Sequence, residues 1–219
     1  MTRVLHHCHQ ARSMRSLWLL HEIGLDFELV VHEFGPALRD PDYLQVHPLG
    51  RVPALIDGDV TLCESGAICE YLCEQYDPGM LWRWPGHVER AAWLQWLHFA
   101  ETMAHHLVAL TQQHIVIRPE SARSPVLMKL EVRRLGKVLD VVETALVKRP
   151  YLLPGGFSAV DTGIGYGLYV AGFFVDLASW PSVSAYYQRL SGRAAFRRAL
   201  PPDGAAGIYT QPFYAVPPP

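Results

Sequence analysis

The chain of 219 residues is long enough for one large domain or two small ones, and its 50% hydrophobic and 18% charged residues are typical of a packed globular protein. Its net charge of −2 comes from residues that form no long run of one sign, so neither nucleic acid nor a membrane surface is an expected partner. No apolar stretch reaches the roughly 20 residues of a membrane span and no secretory signal is visible, so we expect a soluble, cytoplasmic protein.

The first third of the chain alternates between strand and helix patterns. Residues 3–7 are strand-like, and residues 13–23 carry apolar side chains at helical spacing until Gly24 ends the helix. A second strand is predicted over residues 27–31, and a short helix or loop over residues 36–46. These segments predict a βαβ unit.

A β-hairpin is predicted next, because two short apolar runs flank the pair Asp57-Gly58. A helix follows over residues 67–72 and ends before Asp77. The first part of the chain is therefore predicted to be α/β, with the order β-α-β-β-α.

Helical spacing dominates after residues 77–87, which are rich in Pro, Gly and Trp. Ser158 and Asp161 fit a capping box at one helix start. We predict an N-terminal α/β domain with an all-α C-terminal helical domain, divided as 1–78, a linker at 79–88, helices at 89–200 and a proline-rich tail at 201–219.

Three segments of the first domain could bind a charged, peptide-like ligand. The turn at residues 9–13 precedes a helix N-terminus, which favours an anion or a thiolate. A cis peptide before Pro53 would leave the main chain of Val52 unpaired. Glu64 could pair with an ammonium group while Ser65 and the helix start hold a carboxylate, which together recognise an α-amino acid head group.

In this order the segments resemble a cytosolic glutathione S-transferase of the bacterial kind over essentially the whole chain. The residues that carry the resemblance are ARSMRSLWLLHEIGL, HPLGRVPALIDGD, CESGAICEYL and FSAVDTGIGYG. The resemblance implies a thioredoxin-like N-terminal domain, reduced glutathione as co-substrate, no metal, a homodimer and a role in detoxification.

The resemblance also assigns residues to the glutathione site. It implies that Val52 pairs with the cysteinyl part of glutathione beside the cis-proline Pro53. Glu64 and Ser65 would hold the γ-glutamyl group. The glycyl carboxylate would be approached by two basic side chains, Arg39 and Arg51.

The chain departs from the family at the thiol, because Ala11 stands where relatives carry a serine. The remaining candidates for activating the thiol are Gln10, Arg12 and Ser13, through hydrogen bonding or charge beside the helix end. An apolar electrophile is expected between the domains, near His9, with Tyr209, Phe213 and Tyr214 of the tail forming a flap.

Other interpretations of these residues are open. Cys8 could be the working thiol of a glutathione-dependent disulfide reductase, or it could be a buried structural residue. The missing serine would also fit a non-catalytic glutathione-binding or assembly module. The run His6-His7-Cys8-His9 looks like a metal cluster, but consecutive strand residues point to opposite faces and cannot converge on one ion.

Overall fold

The protein is described by a computed structural model that covers residues 3–77 and 79–216. The strands are β1 Arg3–His7, β2 Glu28–Val31, β3 Ala54–Asp57 and β4 Val60–Cys63. The α-helices are α1 Ser13–Ile23, α2 Pro41–Val46, α3 Ser65–Tyr76, α4 Arg90–Thr111, α5 Pro125–Leu146, α6 Ala159–Ala171, α7 Pro181–Ser191 and α8 Ala194–Ala199.

The chain separates into two compact units. The first contains the described residues up to Trp84 together with Gly192–Ile208, and the second contains Pro85–Ser191 with the described residues from Tyr209 onward. The predicted domain limits divide the chain differently, because α8 and the residues after it belong to the first compact unit. The limits at 78, 88 and 200 stay a prediction.

The first unit is built on a four-stranded mixed sheet with the strand order β2-β1-β3-β4. β1 pairs with β2 in parallel and with β3 antiparallel, and β3 pairs with β4 antiparallel. Leu5 of β1 and Leu55 of β3 are paired and completely buried. The core therefore lies against the two central strands.

Helix α1 is buried along most of its length, as residues 13–20 show. It ends where Gly24 adopts a φ of 80°, and the Gly24 N–H donates to the Leu20 carbonyl. Trp18 is fully buried and meets Phe196 of α8 edge to face, with ring centroids 4.9 Å apart. This contact ties the segment that begins at Gly192 to the first unit.

The predicted hairpin forms, but its turn is shifted by one residue from the predicted pair. Asp57 pairs with Val60, so the two turn residues are Gly58 and Asp59. Of these only Gly58 has a positive φ, of 60°. Asp57 remains in the strand because its buried carboxylate accepts hydrogen bonds from the hydroxyls of Tyr71 and Tyr76.

The second unit consists of helices, and its α4 and α5 each contain 22 residues. Apolar side chains at helical spacing are buried in both: Trp93, Trp96, Leu97 and Ala100 on α4, and Leu135, Val138, Val142 and Leu146 on α5. The predicted capping box forms at the start of α6 from Ser158 and Asp161. Within the described residues, no helix is long and apolar enough to cross a membrane.

Candidate functional site

The three segments singled out in the sequence meet at one end of the sheet. Ala54 at the start of β3 pairs with His6 near the end of β1 and with Cys63 at the end of β4. Continuing this register by one or two residues places Val52-Pro53 beside Glu64-Ser65 and beside the end of β1. The topology of the sheet therefore brings together segments that are more than 50 residues apart in the chain.

Hydrogen bonds fix the turn between β1 and α1 from the inside. The Ala11 N–H donates to the Cys8 carbonyl at 3.2 Å, and the Cys8 N–H donates to the Ser13 hydroxyl at 3.1 Å. The Ser13 Oγ also lies 2.8 Å from His7 Nδ1 and is fully buried. Ser13 therefore stabilises the turn, and its hydroxyl is already engaged with Cys8 and His7.

Two histidines at this turn are held in their neutral form by burial. Burial lowers the pKa of His7 to about 3, and it also lowers the pKa of the half-buried His9. Their rings meet edge to face with centroids 5.3 Å apart. The permanent side-chain charge of the turn is therefore that of Arg12, which is half-buried.

Two predicted site residues have an unusual backbone conformation. Among the described residues, Gln10 and Glu64 alone combine a positive φ with a side chain, at 62° and 71°. Such conformations cost about 1–3 kcal/mol and tend to occur at functional sites. Gln10 lies just before α1 and Glu64 just before α3. Both therefore lie at the end of the sheet where the three segments meet.

The peptide bond between Val52 and Pro53 is cis, as predicted. Within the described part of the chain, the main chain of Val52 makes no hydrogen bond to another main-chain group. The preceding carbonyl, that of Arg51, accepts a hydrogen bond from the Tyr43 hydroxyl. Val52 thus presents an N–H and a carbonyl to a peptide-like ligand while its neighbour is anchored to α2.

The two predicted carboxylate-binding arginines lie on neighbouring loops. A Cβ atom at Gly50 would stand 2.4 Å from the Leu38 carbonyl oxygen, and Gly50 has a φ of 57°, so only glycine allows this approach. It brings the chain before Arg51 against the chain before Arg39. Arg39 also lines an open groove of about 640 Å³. Both arginine side chains are exposed.

The start of α3 combines an exposed carboxylate with a buried cation. Glu64 is exposed, and among the described residues its carboxylate makes no ion pair or hydrogen bond. Ser65 is buried, and its hydroxyl oxygen accepts a hydrogen bond from Arg15 Nη1 at 3.2 Å. The hydroxyl can still donate its own proton. The arrangement suits a zwitterion, whose ammonium faces Glu64 and whose carboxylate faces Ser65 and the helix start.

Sequence reasoning missed Arg15, which is only 5% exposed although it carries a charge. A signal was present, because Arg15 is the one charged residue in the mainly apolar helix sequence of residues 13–20. Its partner Ser65 lies 50 residues away, and no local pattern gives that distance.

The predicted tail residues lie in the second unit and are packed there. The Tyr209 ring stacks on Phe173 with centroids 4.4 Å apart, and its hydroxyl lies 2.9 Å from Thr111 Oγ1. Tyr214 is buried and its N–H donates to the Phe173 carbonyl at 2.8 Å. Phe213 is 45% exposed. Of the predicted flap, Phe213 is thus the aromatic side chain with substantial free surface.

The thiols of the protein itself are poorly placed for chemistry. Cys8 is completely buried, and burial raises the pKa of its thiol to about 12. Burial also raises the pKa of Cys63, whose thiol points to the Val46 carbonyl at 3.9 Å. Across residues 3–77 and 79–216, no group of three or more potential metal ligands comes together.

A cis-proline at the start of a central strand, together with the exposed carboxylate and the buried cation at the start of α3, is typical of a thioredoxin-like domain. Residues 2–74 match the model of the glutathione S-transferase N-terminal domain. The chain is 34% identical over 201 residues to glutathione S-transferase F13 of Arabidopsis thaliana, covering 85% of this chain and 89% of that one.

Solved structures agree with this match. A theta class glutathione S-transferase of Xanthomonas axonopodis pv. citri with glutathione bound has a TM-score of 0.79 and 28% identity, covering 91% of this chain and 97% of that chain. The ternary complex of BphK, a bacterial enzyme of the same kind, has a TM-score of 0.76 and 32% identity, covering 90% and 97%. The chain belongs to the glutathione S-transferase family, and the predicted fold class is confirmed.

Proposed function

We propose that the protein binds reduced glutathione at the end of the sheet where these three segments meet and conjugates it, through its sulfur, to an apolar electrophile. Glu64 pairs with the γ-glutamyl ammonium, and Ser65 with the start of α3 holds the γ-glutamyl carboxylate. Val52 pairs its main chain with the cysteinyl residue beside Pro53. Arg39 and Arg51 attract the glycyl carboxylate.

The observation that carries this proposal is the start of α3. The buried Arg15 side chain lies 3.2 Å from the Ser65 hydroxyl and adds a positive charge beneath the carboxylate position. Next to it, the exposed Glu64 carboxylate makes no ion pair or hydrogen bond with another described residue. Opposite charges therefore stand side by side in the order that an α-amino acid head group requires.

The chemistry proposed is attack of the glutathione thiolate on an electrophilic carbon. The thiol releases its proton to solvent, a carbon–sulfur bond forms, and the electron pair of the broken bond leaves with the displaced group. The amide of Gln10 and the guanidinium of Arg12 favour the thiolate by hydrogen bonding and charge. Each unit of lowered thiol pKa needs about 1.4 kcal/mol, which one charge-assisted hydrogen bond supplies.

A titration of reduced glutathione into the protein near neutral pH tests the proposal. We expect binding heat that saturates together with the ultraviolet absorbance of the thiolate, because the site is proposed to lower the pKa of the bound thiol. The Ala11→Ser variant restores the hydroxyl found in relatives and is expected to raise the thiolate absorbance further. Absence of binding heat in the parent protein would contradict the proposal.

Disulfide reduction by a cysteine of the protein is a weaker alternative, because Cys8 is buried and its pKa is raised to about 12. A non-catalytic binding module is the other alternative, and Ala11 is the residue that favours it. Binding heat without thiolate absorbance in the same titration would favour these alternatives over conjugation.

Further expectations belong to this proposal. The apolar nature of the electrophile, a homodimeric assembly and a cytoplasmic role in detoxification follow the family resemblance. A bacterial origin is also proposed, since the similar solved structure of BphK is described as that of a bacterial glutathione S-transferase. His9, Tyr209 and Phe213 are proposed to contact the electrophile, with Phe213 the most accessible of the three.

A further inference from the structure

The last segment of the first unit runs from α8 to Ile208 and is firmly anchored. Arg193 forms two hydrogen bonds with the Glu22 carboxylate of α1, at 2.6 and 2.7 Å. Next to this ion pair, Phe196 packs on Trp18. We call residues 200–208 the C-terminal strap. Since its starting point is fixed on α1, the strap has a defined course within the first unit.

Gly207 of the strap lies against the turn between β1 and α1. A Cβ atom at Gly207 would stand 2.4 Å from Gln10 Oε1, 2.9 Å from Gln10 Cδ and 3.4 Å from Gln10 Nε2. The amide group of Gln10 therefore lies directly against the bare Cα of Gly207. Any other amino acid at position 207 would occupy the space of this amide.

The requirement for glycine at this position comes from the contact and not from the backbone. Gly207 does not have the positive φ that would exclude side chains, whereas Gly204 in the same strap has a φ of 79°. The backbone of Gln10 is itself fixed, with a φ of 62° and with the neighbouring Ala11 N–H bonded to the Cys8 carbonyl. The group that yields most easily to an added methyl group is therefore the flexible side chain of Gln10.

We infer that Gly207 is a positioning residue for the thiol site, which holds the amide of Gln10 where its N–H reaches the glutathione sulfur. This inference rests on the proposed function, because it assigns Gln10 a role towards bound glutathione. It adds a residue 197 positions away in the chain that makes no contact of its own with the thiol. The strap and the turn act together as one side of the site.

The Gly207→Ala variant tests the inference with little risk to folding. The atoms that the new methyl group meets are the far end of a flexible side chain, so the amide can move while the backbone stays in place. We expect the fraction of bound glutathione present as thiolate at pH 7 to fall about three- to tenfold, since a displaced donor no longer stabilises the anion. The affinity for glutathione should fall by no more than the lost thiolate accounts for, because Glu64 and Ser65 are untouched.

A double-mutant cycle with Gln10→Ala identifies the route of the effect. Gln10→Ala alone should lower the thiolate fraction to a similar degree, and adding Gly207→Ala to it should change nothing further, because the two substitutions act on one amide. If Gly207→Ala alone folds poorly, the double variant relieves the collision and should match Gln10→Ala. Gly136→Ala on α5 is the matched control, since its added Cβ would meet no atom closer than 3.6 Å.

The outcomes are distinct for this inference and for the proposed function. A parent protein that binds no glutathione overturns both. If the parent binds glutathione as thiolate and Gly207→Ala leaves the thiolate fraction unchanged, the inference is overturned while the proposed function stands. A loss of thiolate that is equally large in the Gln10→Ala background also overturns it, because the effect would then not pass through Gln10.

Discussion

Replacement of Glu64 by alanine is expected to weaken binding of reduced glutathione about 10- to 100-fold, the equivalent of the roughly 1.5–3 kcal/mol of a charge-assisted hydrogen bond. The carboxylate is exposed and makes no ion pair or hydrogen bond with another described residue, so the fold does not depend on it. The positive φ of 71° at this position is retained by alanine, and the backbone contribution is therefore unchanged to first order. Titration calorimetry with reduced glutathione measures the effect.

Glu74→Ala provides the matched control for this experiment. Glu74 is an exposed acid on the same helix, α3, and lies more than two turns from its start. We expect its replacement to leave the affinity within a factor of two, because the net charge changes equally but no head group is contacted. Equal losses in both variants would mean that Glu64 acts only through the overall charge, and the assignment of the γ-glutamyl group would then be wrong.

Local patterns in the sequence were sufficient to predict most of the fold. The ends of α1 followed from Ser13 and Gly24, and the hairpin followed from two apolar runs around a glycine, because these features act over a few residues. The one-residue shift of the turn was not predictable in this way. It depends on the bonds of Asp57 to Tyr71 and Tyr76, which come from a helix formed later in the chain.

The candidate site shows the same division between local and distant effects. Pro53 and Glu64 could be identified from short motifs, and the cis peptide was predicted correctly. The contact of Arg15 with Ser65 spans 50 residues of the chain, and that of Gly207 with Gln10 spans 197. No short sequence pattern around one partner identifies the other. Residues that support a site across the sheet thus require the tertiary structure.

The carboxyl group of Asp161 is expected to contribute the largest single share of stability in the second unit. It is completely buried and accepts hydrogen bonds from the Ser158 N–H at 2.7 Å, the Tyr186 hydroxyl at 2.6 Å and the Leu152 N–H at 3.3 Å. Asp161→Ala leaves these donors buried without a partner, which costs about 1–3 kcal/mol for each group that water does not reach. We expect a loss of about 3 kcal/mol or more in the free energy of unfolding, measured by urea titration at pH 5.

The pH dependence of this loss separates the buried carboxylate from a simple packing defect. Burial raises the pKa of Asp161 from 3.8 to about 6, so folding favours the protonated form and the stabilisation by this group is complete below pH 3.8. It is lost as the pH rises through about 6, and the two-unit shift corresponds to about 3 kcal/mol. Asp161→Asn cannot titrate, so the stability difference between the parent and this variant should shrink by about that amount between pH 4 and pH 7.

Asp176→Ala is the appropriate comparison for both measurements on Asp161. Asp176 also caps a helical turn, accepting from the Ala178 N–H at 2.9 Å, but it is exposed to solvent. Its replacement should cost about 1 kcal/mol or less, since water takes over the freed N–H group. A difference between the parent and Asp161→Asn that stays constant from pH 4 to pH 7 would contradict the raised pKa, and an Asp161→Ala loss no larger than that of Asp176→Ala would contradict the structural role. The comparison isolates burial as the cause, because hydrogen bonding at a helix start is common to both residues while exclusion from water is particular to Asp161.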